Sequence, residues 1–133
     1  MIYVLDANAM IAVLNDEAGA DIVEGLLTKD DTTAYAHAVN VCEVYYPILR
    51  VGSEMEAEEA LADIRSLGVQ TRTDMDEEFW KEVGRVKAHH RLSLADAFAI
   101  ALTQRVGGEL LTSDHHELDP LAAAGICQIN FFR

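Results

Sequence analysis

With 133 residues, half of them hydrophobic, the chain is long enough to bury a core as one domain, residues 1–133, without disulfide or metal staples. Its 23 acids against 10 Lys and Arg give a formal net charge of −13 and a pI near 4.5, which argues against broad attraction to polyanions or anionic membranes. Cys42 and Cys127 lack metal-ligand spacing and are read as reduced core residues; no basic leader precedes the first apolar run, and no run is long enough to span a membrane, so a cytoplasmic setting is expected.

Ile2–Leu5 is apolar without polar alternation, the pattern of a strand buried on both faces, and it ends abruptly on Asp6, with Asn8 just beyond. Ligands of an open parallel sheet bind outside the carboxyl ends of its strands, so Asp6 falls where such folds keep their chemistry. Apolar residues at Met10, Ile11, Val13 and Leu14, then at Ile22, Val23, Leu26 and Leu27, predict one broken helix or two short ones, loosened at Gly19. Residues 32–38 form a weakly apolar second strand. Asn40 opens a helix to Val51, with Glu43 three residues on in the arrangement of a capping box, and Gly52 breaks it. Ser53 with Glu56 caps a helix to Leu67, Gly68 stops that one, and residues 69–71 make a third strand.

Asp74 with Glu77 caps the next helix, which turns Phe79, Trp80, Val83 and Val86 inward and ends near His89 and His90. Ser93 stands three residues before Asp96 at the start of a strongly apolar helix over 97–106, terminated by Gly107 and Gly108. Leu110 and Leu111 form a fourth strand that runs out into Thr112, Ser113 and Asp114; residues 118–124 make a short helix and 126–132 a fifth strand. With no repeat or linker, this alternation predicts an α/β sandwich with right-handed crossovers.

Four acids stand out by position. Asp6 and Asp114 end strands, whereas Glu43 and Asp96 lie in the first turns of helices entered from the same edge of the sheet. Carboxylates gathered without basic partners repel one another, so such a cluster points to bound cations, and Mg²⁺ or Mn²⁺ suits oxygen ligands better than Zn²⁺. The competing reading is purely structural: acids occupy about one position in six of this chain, and first-turn acids are favoured by the helix dipole. Lys87, His89, His90 and Arg91 form the only compact basic patch, a candidate for RNA phosphates or a plain solvated helix end. Tyr45, Tyr46, Phe79, Trp80 and Phe98 fit core or dimer contacts better than base-stacking platforms.

The stretches Asp6-Ala7-Asn8, Asn40-Val41-Cys42-Glu43, Leu94-Ala95-Asp96-Ala97 and Thr112-Ser113-Asp114, in this order along nearly the whole chain, resemble the PIN domain, specifically the small ribonucleases of VapC-type toxin–antitoxin systems. The resemblance implies a three-layer α/β/α fold with a five-stranded parallel sheet and a Mg²⁺ or Mn²⁺ site built from Asp6, Glu43, Asp96 and Asp114, with Asn8 and Thr112 as polar supports. It further implies RNA hydrolysis leaving 5′-phosphate and 3′-hydroxyl ends, a homodimer, and a small DNA-binding antitoxin as partner. Where the family often carries an aromatic after its last Asp, this chain has His115-His116-Glu117-Leu118, which makes His115 and His116 candidate substrate contacts and Glu117 or Asp119 a candidate extra acid. The alternatives are a catalytically degenerate PIN-like interaction module and a receiver-type phosphoacceptor domain. A receiver wants an acid pair after the first strand and a Lys at the final one, and neither is found here.

Overall fold

In the computed structural model, which describes residues 1–133, the N-terminal apolar run forms strand β1 (Ile2–Leu5). It is joined by β2 (Thr33–His37), β3 (Val69–Arg72), β4 (Glu109–Thr112) and β5 (Gln128–Phe131) in one parallel sheet of order β3-β2-β1-β4-β5. The helices are α1 (Ala7–Leu14), α2 (Ala20–Leu27), α3 (Ala38–Val51), α4 (Glu54–Ser66), α5 (Glu77–His89), α6 (Leu94–Val106) and α7 (His115–Ala123). None is long and apolar enough to cross a membrane.

Alternation along the central strands sorts the core into two layers. Tyr3, Leu5 and Leu111 pack with Met10, Val23, Val44 and Ile64 on one face of the sheet, while Val4 and Leu110 pack with Phe79, Val83, Ile100 and Leu121 on the other. Both faces of β1 and β4 are therefore covered, as their unbroken apolar sequence demands, and each such buried side chain is worth about 1.5–3 kcal/mol. Helix α6 is buried at every position from Ala97 to Thr103, because it is sandwiched between the sheet and α5. Its ends are well defined: the Ser93 hydroxyl accepts from Asp96 N–H, and Gly107 closes it in the left-handed conformation.

Of the two readings at Gly19 the structure has two short helices, as one of them expects, and a Cβ there would lie 2.6 Å from the Phe132 carbonyl oxygen, so glycine is needed for residues 132–133 to pack against this turn. Several other expectations are corrected by the structure. Helix α3 starts at Ala38, capped by His37, whose Nδ1 accepts from Val39 N–H; Asn40 is already inside the helix and no Asn40–Glu43 capping box forms. Helix α5 is capped by Asp76, which accepts from Phe79 N–H and also from Arg105, while Asp74, expected as the cap, lies two residues further out and pairs with Arg72 and Arg105. Trp80 is 46% exposed, since Phe79, Val83 and Val86 occupy the inward stripe one residue away. Cys42 is likewise exposed, on the outer side of α3, and Cys127 is half-buried, with its thiol pushed up to about 11 by burial. Helix α7 begins three residues earlier than its apolar content suggests, because Asp114 caps it, and it accommodates Pro120 internally.

Candidate functional site

The chain turns in opposite directions from its two central strands: β1 leads to β2 on one side, whereas β4 leads to β5 on the other. The crevice between such strands, at their carboxyl ends, is where a doubly wound sheet opens to ligands. Register pairs Leu5 with Leu111, and Asp6 N–H reaches the Leu111 carbonyl at 3.4 Å, so Asp6 and Asp114 flank that crevice. Entering from the same edge, α3 and α6 bring Glu43 and Asp96. Together with Asn8, Ser93 and Glu117, these acids line a cavity of about 230 Å³.

Asp6 forms its floor, at only 1% exposure. Its Oδ1 accepts from Ala9 N–H at 2.9 Å, the N-terminal cap of α1, whereas Oδ2 is buried with no hydrogen-bond partner. Burial pushes its pKa up to about 6; the nearby Thr112 hydroxyl and the Ala9 N–H moderate that rise, and the charges of Asp114 and Glu43 add to it. Glu43 arises one turn further into α3 than expected and is held by Asn40, whose Nδ2 donates to Glu43 Oε1 at 3.3 Å and to the Ala95 carbonyl at 3.1 Å. Asn40 is fully buried and ties α3 to α6 beside Asp96. Its spacing to Glu43 was the signal that could have found it, and a capping box has the same spacing.

Asp96 and Glu117 face one another. Burial raises the Asp96 carboxyl pKa, and a hydrogen bond shared with Glu117, with the charges of Asp6 and Asp114, raises it further. The same bond lowers the pKa of Glu117, whose Oε2 also accepts from Ser93 N–H at 3.3 Å. Two carboxyls this close titrate as a pair, and burial disfavours the charged form of Asp96 more than that of the less buried Glu117. Asp114 caps α7 through Glu117 N–H, and its own N–H donates to the Thr112 hydroxyl at 3.0 Å. Potential ligand atoms of Asp96, Asp114 and Glu117 lie within 4.8 Å of one another, and Asp6 and Glu43 line the same cavity beside this trio.

The donor set consists of carboxylate oxygens, one of them buried without a partner, which fits a hard divalent cation and leaves no soft ligand for another kind of ion. Thr112 is fully buried beneath the cavity, and Asn8 is exposed at its mouth. Lys87, His89, His90, Arg91 and His116 line a neighbouring groove. His115 lines neither space. Its ring stacks on Phe131, Nδ1 pairs with Asp119 and Nε2 with the Arg133 carbonyl, so Asp119 is also drawn away from the acids.

A search of curated proteins gives no match. Among solved structures, VapBC2 from Rickettsia felis, bound to a DNA fragment from its promoter, is similar with a TM-score of 0.74 at 14% identity, covering 98% of each chain. VapBC-1 from nontypeable Haemophilus influenzae follows with 0.73 at 15% identity over 99% of this chain and 98% of that one. VapC20 of Mycobacterium tuberculosis, a sarcin-ricin loop cleaving toxin, gives 0.65 at 17% identity over 96% and 98%. At these identities the likeness speaks for the fold. The sequence itself matches the PIN domain family over residues 3–122, a span that runs from the strand before Asp6 to the helix after Asp114 and takes in every acid of the cavity; the chain belongs to the PIN domain family.

Proposed function

We propose that this PIN domain is a metal-dependent endoribonuclease that hydrolyses RNA phosphodiesters, and that it is the toxin of a type II toxin–antitoxin pair. The observation that carries the chemical reading is the buried, unpartnered Oδ2 of Asp6 in a cavity walled by acids. A buried carboxylate with one oxygen left unmatched is costly, and a cation is the simplest group that turns this cost into binding energy. Asp6, Glu43, Asp96 and Asp114 are assigned as the residues that hold Mg²⁺ or Mn²⁺, with Glu117 as a fifth acid. When bound, such an ion supplies Lewis acidity to the phosphodiester and makes water a better nucleophile for in-line attack.

The chain's own residues prepare that chemistry. Asn40 fixes Glu43 relative to α6, Thr112 orients the Asp114 backbone, and Ser93 anchors both Asp96 and Glu117 through its hydroxyl and its N–H. Asn8, at the cavity mouth, is placed to meet the substrate or a cation's water. The toxin assignment draws on the solved relatives, which are VapBC complexes or a VapC toxin, and it brings with it a homodimer, a small DNA-binding antitoxin and a cytoplasmic location. The buried acids argue against a degenerate interaction module, since helix capping by Asp6 and Asp114 offsets only part of the electrostatic cost of a metal-free cluster. The receiver alternative ends with the family match.

The deciding experiment incubates a mixed-sequence RNA with the protein and Mg²⁺ or Mn²⁺, against an EDTA control and Asp6→Asn. Cation-dependent fragments with 5′-phosphate ends, absent from the variant, are expected. Undiminished cleavage by Asp6→Asn would overturn the site assignment. Light scattering at working concentration tests the homodimer, and a purely monomeric species would remove it.

A further inference from the structure

The chain carries ten Lys and Arg, and half of them are already neutralised: Arg72, Lys81, Arg85, Arg105 and Arg133 each lie within 4.0 Å of a carboxylate. Lys29, Arg50, Arg65, Lys87 and Arg91 have no carboxylate partner. Of these, Lys87 and Arg91 share a groove of about 830 Å³, and three of the five histidines, His89, His90 and His116, line it with them. In a protein of net charge −13 this is a local reversal of sign.

Two features make the groove more than a solvated helix end. It adjoins the acid cavity, because Ser93 and Glu117 line both. Its wall is also anchored: Lys87 Nζ donates to the Leu92 carbonyl at 2.7 Å, which leaves two ammonium N–H groups free, and Leu92 is buried in the core beneath. The loop that bears His90 and Arg91 is thereby held beside α7. Arg91 is exposed, and its guanidinium, which has no partner in the fold, retains the planar fork that matches a phosphate.

We propose that this groove is a second subsite, which holds through Arg91, Lys87 and His116 a phosphate of single-stranded RNA that flanks the scissile one. The identity of the strand rests on the nuclease reading above; the anion-binding character rests on the groove. A polyanion that must descend to Asp6 meets four other acids on the way, and the unpaired cations next door supply the attraction the cavity lacks. A strand threaded from cavity to groove passes Ser93 and Glu117. Position along the chain is then set by the groove, and the chemistry by the acids.

The test measures binding by fluorescence anisotropy of a labelled single-stranded RNA in the Asp6→Asn background, where the strand stays intact, as a function of salt. Each cationic side chain that no longer meets a phosphate of a single strand flattens the slope of log affinity against log salt by about 0.7. Arg91→Gln is expected to show that flattening, so that a fourfold rise in salt weakens it about 2.6-fold less than the parent. Arg91→Lys should regain much of the parental slope. Lys29→Gln, which removes an equal charge on another surface, should keep it. Melting temperatures matched to the parent guard against a folding defect. A parental slope in Arg91→Gln, equal flattening in Lys29→Gln, or no measurable binding would overturn the subsite. Cation-dependent cleavage by the wild type together with a parental slope in Arg91→Gln overturns the groove alone, whereas a flattened slope in a protein that cleaves no RNA overturns the nuclease reading alone.

Discussion

Replacing Asp6 by Asn should stabilise the metal-free protein at neutral pH while removing its response to cations. Burial raises the Asp6 pKa from an ordinary 3.8 to about 6, so the native state binds a proton more tightly than the unfolded chain. A carboxyl raised in this way carries no penalty below its unfolded value; stability is lost as pH climbs from about 4 through about 6 and stays lost above that. A rise of about two pH units, at about 1.4 kcal/mol each, puts the cost near 3 kcal/mol at pH 7.5, and with Asp6 at 1% exposure there is little solvent to screen it. The variant's amide keeps the oxygen that caps α1 and turns the unpartnered Oδ2 into a donor facing carboxylates. For a chain of this size the gain corresponds to roughly 10 °C in melting temperature.

The assay is thermal unfolding by circular dichroism from pH 4 to pH 8 in EDTA at matched ionic strength, with a parallel series in Mg²⁺ or Mn²⁺. In EDTA the variant should melt above the wild type at pH 7.5, and the gap should vanish by pH 4. With cation the wild type should gain about RT ln(1 + [L]/Kd), near 2.7 kcal/mol at a hundredfold excess over Kd, and the variant much less. A variant less stable than the wild type at pH 7.5 would refute the desolvation argument. Equal cation shifts in both proteins would show that the ion is held elsewhere.

Three further outcomes are expected. Asn40→Ala should cost about 2 kcal/mol in urea unfolding, since it removes the two hydrogen bonds by which a fully buried amide ties α3 to α6, and it should lower any cation-dependent cleavage by freeing Glu43. Ser93→Ala should remove about 1 kcal/mol through loss of the α6 cap, whereas Ser93→Gly should lose only a few tenths. Arg72→Gln should reduce the melting temperature above pH 4 and converge with the wild type as pH falls toward 2: Arg72 holds the Asp74 carboxyl well below the usual carboxylate range, and stability gained that way is lost as the folded group protonates.

The elements that could be read from the sequence are those whose local signals and tertiary needs agree. The apolar run of β1, the Ser53 and Ser93 caps and the glycine that ends α6 each stand where the sequence places them, because nothing in the packing competes with them. The misread positions are those where a side chain was claimed by a distant partner. Asp74 has the spacing of a cap, yet the helix begins two residues later, where Asp76 caps it, and Asp74 pairs with Arg72 and Arg105. Asn40 has the spacing of a capping box, yet the buried His37, stacked on Phe79, already caps α3, which frees Asn40 to bridge to α6. Four acids were legible from their positions at strand ends and helix starts; Glu117 and Asp119 stand level in the sequence as candidates for a further acid, and the choice of Glu117 depends on α7 beginning at His115 instead of 118, which turns Asp119 to His115.

The helix ends also explain how so acidic a cavity survives in the fold. Asp6 caps α1, Asp114 caps α7, and Asp96 sits in the first turn of α6, so three helix N-termini bring their partial positive charge to the same crevice. Each such placement is worth about 0.3–1 kcal/mol, which offsets part of the mutual repulsion, yet burial and the neighbouring charges together still leave Asp6 with a net cost of roughly 3 kcal/mol at neutral pH. Glu43 has no helix end of its own, since the first turn of α3 contains no acid, and depends on the Asn40 amide instead. The backbone thus brings the carboxylates together without neutralising them. The remaining deficit is electrostatic and local, and a divalent cation bound in the cavity is of the right charge and chemistry to remove it.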